Sequence, residues 1–324
     1  MGRYLRKGDI DKAMPNLSSK VVSYREIEWF DRNPPSRNKA IYLYARSWFW
    51  KNIGRYTSTW PYVSGDSFAK LADYSISTEK DLQGCDPKLL TRSRKIFIKS
   101  ELFEKFVSEY AHHLNSGHVL ITGNGDTDFE KIPESLIDID FRWFAQNSFI
   151  INDSRVTSIP IGIENISLGS HGRLEHLHIC RDFNQNRILF GPMGDTHPSR
   201  KSLLTSALEL QNVFYLPTKR LPPRQYVKLS GNFKYVFCPR GNGVDTHRFW
   251  ESLYRGQTPV ILESDWSKSL EGLGLPFVCV PTLESVTAIV PELDFGKPDF
   301  NPNDLEALWM PFWGARINEI KQAK

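Results

Sequence analysis

The stretch PRGNGVDTHRFWESLYRGQTPVILES, residues 239–264, decides the fold. An apolar run at 235–238 comes before it, and a second apolar run begins at Pro259. An apolar strand, a glycine-rich turn, a helical segment and another apolar strand make one βαβ-like unit, which is typical of a parallel sheet. Ligands bind such sheets at the carboxyl ends of the strands, so the turn between Cys238 and Phe249 is the first candidate site.

Basic and glycine residues are concentrated in this turn: Arg240, Gly241, Gly243, His247 and Arg248. The glycines allow a ligand to approach the backbone closely and permit positive φ. The N–H groups at the start of a helix bind anions. Cations at a helix start cost roughly 0.3–1 kcal/mol unless an anion lies between them. The turn therefore predicts a phosphate site.

The same residues leave an alternative open. Asp245 or Thr246 can cap the helix, and the basic residues can pair with carboxylates such as Glu251. Glu251 lies three residues after Arg248 and four before Arg255. It either forms a surface ion pair on the helix or accepts hydrogen bonds from a ribose diol beside the phosphates.

The alternation of strands and helices extends in both directions from this unit. In the second half, strands are predicted at 187–190, 213–216, 235–238, 259–262 and 277–280, and helices at 199–210, 223–230, 246–255 and 266–272. In the first half, strands are predicted at 40–44, 95–99, 118–122 and 155–161, with Ser100 as the N-cap of a helix. Such alternation favours a parallel sheet in each half.

These patterns predict an α/β fold in which two Rossmann-like domains face each other across a cleft. We expect a lead-in at 1–38, a first domain at 39–180 and a second domain at 181–302. A C-terminal helix is expected at 303–324, interrupted at Pro311. The polar stretch 165–187 is the expected connection between the domains.

The segment FCPRGNGVDTHRFWESLYRGQTPVIL resembles the C-terminal signature of the exostosin-type glycosyltransferases (glycosyltransferase family 47) in order and spacing. SRKSLL at 199–204 and TSIPIGIEN at 157–165 are looser matches, and Gln257-Thr258 departs from the usual pattern. The resemblance implies a GT-B fold, with the C-terminal helix crossing back to the first domain. It also implies inverting transfer of a sugar from a nucleotide donor.

The resemblance assigns roles around the donor. Arg240 and Arg248 would hold the diphosphate, with Arg200 as a further candidate, and Glu251 would bind the ribose. The remaining donor-side candidates are Gly241, Gly243, Asp245 and His247.

Inversion by direct displacement requires a base that removes the proton of the acceptor hydroxyl. In this fold class the base comes from the N-terminal domain. Asp126 and Asp128, in GNGDTD, are the first candidates, and Asp66 is the next. Each of them can instead serve as a turn residue. Aromatic side chains that could stack on an acceptor sugar are Trp48, Trp50 and Trp60.

Two Asp-x-Asp triplets, at 126–128 and 138–140, leave a metal-dependent GT-A transferase as an alternative. That enzyme class would give residues 239–264 no role, so we expect no metal and no bound cofactor. A polysaccharide pyruvyltransferase-like enzyme and an inactive glycan-binding relative are further alternatives.

The composition of the chain limits the kinds of partner that we expect. The formal charge is +4, with no run of five basic residues, so we expect no nucleic acid. No apolar stretch reaches the ~20 residues of a membrane span, so we expect at most a peripheral membrane contact. Four scattered cysteines fit a reducing cytoplasm, with Cys238 and Cys279 as buried thiols. The expected partners are a UDP- or GDP-linked sugar and a glycan or lipid-linked glycan acceptor, in surface or capsular polysaccharide synthesis at the inner face of the membrane.

Overall fold

The computed structural model describes residues 59–168, 173–180, 182–217 and 221–319, together with Ile41 and Ala45. The predicted lead-in at 1–38 and the aromatic residues Trp48 and Trp50 lie outside these residues. Ile41 is the one described position of the strand predicted at 40–44, and it is helical, so the prediction is wrong there.

The first half of the chain forms a parallel five-stranded sheet with strands in the order β1-β2-β3-β4-β5. The strands are β1 (Tyr74–Ile76), β2 (Lys95–Lys99), β3 (His118–Gly123), β4 (Phe141–Ala145) and β5 (Val156–Ser158). The predictions at 95–99 and 118–122 are confirmed, and β5 covers part of the run predicted at 155–161. β1 and β4 were not predicted.

Among the described residues of the first half, four α-helices accompany this sheet: α1 (Gly65–Ala69), α2 (Glu79–Gln83), α3 (Pro87–Arg92) and α4 (Phe103–Tyr110). A 3-10 turn, Ser100–Leu102, leads into α4. Ser100 does not cap it; its hydroxyl donates to the Gly123 carbonyl at the end of β3 instead. That hydrogen bond connects the ends of two neighbouring strands.

The second half forms another parallel five-stranded sheet, in the order β10-β9-β8-β6-β7. Its strands are β6 (Ile188–Phe190), β7 (Phe214–Tyr215), β8 (Tyr235–Phe237), β9 (Thr258–Leu262) and β10 (Val278–Val280). All five predicted strands are confirmed. The chain runs outward to β7 and then returns to the other side of β6, so strand order reverses between β6 and β8. Sheets of this kind bind ligands at the carboxyl side of that switch point.

The helices of the second half follow the predicted positions closely. The predicted ones are α5 (Ser199–Glu209), α6 (Pro223–Ser230), α7 (His247–Tyr254) and α8 (Asp265–Ser269), whereas the short α9 (Val286–Ile289) was not predicted. The predicted α/β class with parallel sheets is therefore confirmed.

The C-terminal segment packs back onto the first half. Two 3-10 turns, Pro302–Asp304 and Glu306–Leu308, lead into α10 (Met310–Asn318). Pro311 occupies the first turn of α10, where proline needs no N–H partner, so it begins the helix rather than interrupting it. Trp313 meets Phe68 of α1 edge to face, with ring centroids 6.2 Å apart.

One apolar core joins the two halves. It takes side chains from one face of each sheet, from α7 and from α10; its members include Phe97, Ile121, Phe144, Val236, Phe249 and Trp313. Separate clusters cover the other face of each sheet. Cys238 is buried as predicted, whereas Cys279 is exposed because β10 is an edge strand. Within the described part of the chain, no helix is long and apolar enough to cross a membrane.

Candidate functional site

Hydrogen bonds join the turns at the carboxyl ends of the two sheets. From the first sheet come the turns after β3, β4 and β5; from the second comes the turn after β8, residues 239–245. Arg240 Nη2 is 2.7 Å from Asp128 Oδ2, and Asn242 Nδ2 donates to Asp126 Oδ2 at 3.1 Å. Two of the predicted catalytic aspartates therefore face the predicted phosphate turn across the interface.

Asp128 has both carboxylate oxygens engaged by this turn. Oδ2 pairs with Arg240, and Oδ1 accepts the Val244 N–H at 3.3 Å. Asp126 is exposed and gives Oδ2 to Asn242, while its own N–H donates to Glu101. Within the described part of the chain, Asp128 therefore has both carboxylate oxygens in hydrogen bonds, whereas Asp126 has one.

Asp245 is buried between the sheets rather than exposed to a ligand. Its Oδ2 accepts the Ile161 N–H at 2.7 Å, and its Oδ1 accepts the indole N–H of Trp250 at 2.7 Å. The residue before α7 is Thr246, whose side chain makes no capping hydrogen bond. The predicted helix cap is therefore wrong for both residues, since the Asp245 carboxylate holds the two sheets together.

Burial raises the pKa of Asp245 to about 7, against the opposing effect of its N–H donors. The folded protein thus keeps a proton that the unfolded chain releases near pH 3.8. We expect the contribution of Asp245 to the free energy of unfolding to fall as pH rises from about 4 to about 7, and to be constant above that window. Denaturant unfolding of wild type and Asp245→Asn between pH 4.5 and 8 measures this. Parallel pH curves for the two proteins would contradict the assignment.

Gly243 is required by the contact between the sheets. A Cβ on Gly243 would lie 2.5 Å from Asn147 Nδ2, and Asn147 Oδ1 accepts the Asp245 N–H at 3.0 Å. Neither Gly241 nor Gly243 has the positive φ that was predicted. At Gly243, the group that closely approaches the backbone is the Asn147 side chain of the first half.

Gly243→Ala should therefore destabilise the fold by about 1–3 kcal/mol, the usual cost of overpacking a well-packed contact. The free energy of unfolding measures the loss. Gly314→Ala is the matched control, because a Cβ there meets nothing within 4 Å. In an Asn147→Ala background the cost of Gly243→Ala should shrink; an unchanged cost would show that Asn147 is not the obstacle.

Three arginines converge at the switch point between β6 and β8. Arg200 Nε donates to the Arg240 carbonyl at 2.7 Å, and its Nη1 donates to Gly194 at 2.9 Å. Arg248, in the first turn of α7, donates Nη2 to the Pro192 carbonyl. Burial and the neighbouring Arg248 lower the pKa of Arg200 to about 10. Burial is the larger of these two causes, and the positive charge of Arg248 adds to it.

Part of this arginine cluster has buried N–H groups that no described residue accepts. These groups are Arg240 Nε and Arg248 Nη1. Buried polar groups in folded proteins nearly always have a partner. Arginine N–H donors without acceptors, beside a helix start, form an environment suited to a polyvalent anion.

Glu251 is buried on α7, not exposed as a surface ion pair requires. Arg255 Nη2 lies 3.0 Å from Glu251 Oε2, so the predicted pairing exists in buried form. Burial raises the pKa of Glu251, and Arg255 opposes this effect. Glu251 Oε1 is buried without a partner among the described residues, so it can accept a hydrogen bond from a ligand hydroxyl.

The remaining candidates lie around the same interface. His247 Nδ1 donates to the Gly162 carbonyl at 2.8 Å, which leaves Nε2 for other contacts. Asp66 Oδ1 accepts from Asn124 Nδ2 at 3.0 Å, and Asn165 bonds to both the Asp66 N–H and Asn124 Oδ1. Trp60 is half-buried and packs against the shared core.

The Asp-x-Asp triplets do not lie together. Asp138 and Asp140 precede β4, at the amino end of the first sheet, whereas residues 126–128 follow β3 at its carboxyl end. Across the described ranges, no group of three His, Cys, Asp or Glu side chains is arranged to hold a metal ion.

Several asparagines of this interface were not predicted, nor was Tyr226, which lies on α6 under the Arg248 guanidinium; the asparagines are Asn124, Asn147, Asn165 and Asn242. Asn124 and Asn147 both have φ near +56°; Asn124 directly follows β3 and Asn147 comes two residues after β4, which was the available signal. In comparisons with protein-family models and with curated proteins, nothing matches this chain.

Proposed function

We propose that this chain is an inverting glycosyltransferase of GT-B architecture that uses a UDP- or GDP-linked sugar. The observation that carries the proposal is the convergence of Arg200, Arg240 and Arg248 at the switch point of the second sheet. Two of these arginines have buried N–H donors for which the described part of the chain supplies no acceptor. Guanidinium groups match phosphate oxygens in charge and geometry, so a diphosphate satisfies donors that the described residues leave without acceptors.

The surrounding side chains fit the rest of such a donor. Glu251 Oε1 accepts from a ribose hydroxyl, and the arginines stabilise the charge that develops on the leaving diphosphate without a metal ion. The acceptor is a glycan or lipid-linked glycan that meets the donor from the side of the first sheet. We place the reaction in cytoplasmic synthesis of a surface or capsular polysaccharide.

In the proposed reaction the acceptor oxygen bonds to the anomeric carbon as the bond from that carbon to the diphosphate breaks. The configuration inverts, and the acceptor proton passes to a carboxylate of the first half. Asp126 is our assignment for that base. Asn242 holds its Oδ2, which leaves Oδ1 for the hydroxyl.

Calorimetric titration with UDP-, GDP- and CMP-linked sugars tests this function. We expect one diphosphate class to bind, and the CMP-sugar, with one phosphate, to bind much more weakly. Slow release of free nucleotide from the bound donor would then report turnover. Binding of phosphoenolpyruvate without binding of any sugar nucleotide would instead favour the pyruvyltransferase alternative.

A further inference from the structure

Five residues on α6, on or directly after α7, and in the 3-10 turn Leu174–His176 each carry a buried polar atom with no partner among the described residues. These atoms are Tyr226 Oη, Arg248 Nη1, Glu251 Oε1, Arg255 Nε and His176 Nδ1, and none of them is hydrogen-bonded to a described residue. We call these five residues the buried polar cluster. Contacts link part of this set, because the Arg248 guanidinium lies over the Tyr226 ring and Arg255 pairs with Glu251. Folded chains leave few such atoms, so several of them on contacting side chains indicate a polar ligand.

The cluster continues directly from the arginines at the switch point. Arg248 and Glu251 on α7 and Arg255 directly after it are spaced three and four residues apart, so they lie along one side of the helix. Arg255 and Glu251 are 2 % and 9 % exposed. The Arg248 guanidinium lies over the ring of Tyr226 on α6, with its central carbon 5.4 Å from the ring centroid. Tyr226 therefore stands beside one of the three arginines at the switch point.

From Arg248 to Glu251 the side chains along this side of α7 change from basic to acidic, so they suit different parts of a ligand. Arg240 and Arg248 suit the diphosphate, but the carboxylate of Glu251 repels phosphate oxygens and accepts from hydroxyl groups. The phenol O–H of Tyr226 can both donate and accept a hydrogen bond. A nucleobase presents N–H and C=O groups on its edge, which such a phenol can recognise.

We propose that Tyr226 recognises the nucleobase of the donor through its Oη, while Arg248 beside it holds the diphosphate. The inference rests on the proposed function, because it assigns the nucleoside end of the same ligand. It adds a specificity residue that the glycine-rich turn does not contain.

Tyr226→Phe removes the Oη and leaves the ring under Arg248. Calorimetry with UDP, GDP and inorganic pyrophosphate compares this variant with wild type. We expect the nucleotide that wild type binds to bind about fivefold to tenfold more weakly, the effect of one hydrogen bond, with pyrophosphate affinity unchanged. Tyr110→Phe is the matched control, because its Oη donates to Leu82 beside the first sheet.

Two results would overturn the inference while the proposed function stands. Tyr226→Phe could bind the nucleotide as tightly as wild type, or it could lose nucleotide and pyrophosphate equally, which would make Tyr226 a support for Arg248 alone. If wild type binds pyrophosphate but neither UDP nor GDP, both the inference and the proposed donor fail. If it binds none of the three, the phosphate site fails as well.

Discussion

Arg248→Ala should weaken binding of UDP or GDP by about 10- to 150-fold. A hydrogen bond to a charged group contributes about 1.5–3 kcal/mol, and each 1.4 kcal/mol changes the dissociation constant tenfold. Arg248 is the best choice among the three arginines, because its Nη1 is buried and has no acceptor within the described part of the chain. Arg240 also pairs with Asp128, so its removal would disturb the contact between the sheets.

The control for this variant is Arg142→Ala. Arg142 lies exposed on β4 and donates to one backbone carbonyl, that of Ser154, much as Arg248 donates to Pro192. The control should bind nucleotide as wild type does. Arg248→Lys keeps the charge but loses the planar fork, so its affinity should fall between those of wild type and Arg248→Ala. Unchanged UDP and GDP affinities in Arg248→Ala would show that the donor does not bind at the switch point.

The second half of the chain was predictable because its signals are local. The apolar runs of β6 to β10 are separated by helical segments, and α7 was placed within one residue at each end. β1 and β4 carried weaker signals. β1 has three residues, and β4 reads FRWFA, in which an exposed arginine interrupts an otherwise apolar run. Short or interrupted runs do not separate a buried strand from a loop.

The sequence predicted which residues of the second half form the site, but not the contacts that these residues make. Arg240, Arg248 and Glu251 lie where the turn and helix place them. The burial of Glu251 was missed because helical periodicity predicts only which face of α7 packs on the sheet. The segment 173–180 passes α7 on another side, where the Cys180 N–H donates to the Arg255 carbonyl. No periodicity in α7 can predict that contact. The Asn147–Asp245 contact joins residues 98 positions apart, so no local pattern can show it.

Asp126→Asn should lower turnover by about 10²–10⁴-fold, the usual contribution of a general base, with donor affinity close to that of wild type. The asparagine keeps an oxygen for the contact with Asn242 but can no longer take up a proton. Turnover is followed as release of UDP or GDP in the presence of acceptor, and binding by calorimetry. The division between turnover and affinity identifies a role in proton transfer rather than in donor binding.

Asp128→Asn and Asp66→Asn are the matched variants. Asp128 has both oxygens occupied, by Arg240 and by the Val244 N–H, so its replacement should alter donor affinity more than turnover. Asp66 gives Oδ1 to Asn124 and lies buried at the start of α1. Near-normal turnover in Asp126→Asn together with a collapse in Asp66→Asn would move the base to Asp66. If all three variants turn over normally, the proton leaves by a route that involves none of these aspartates.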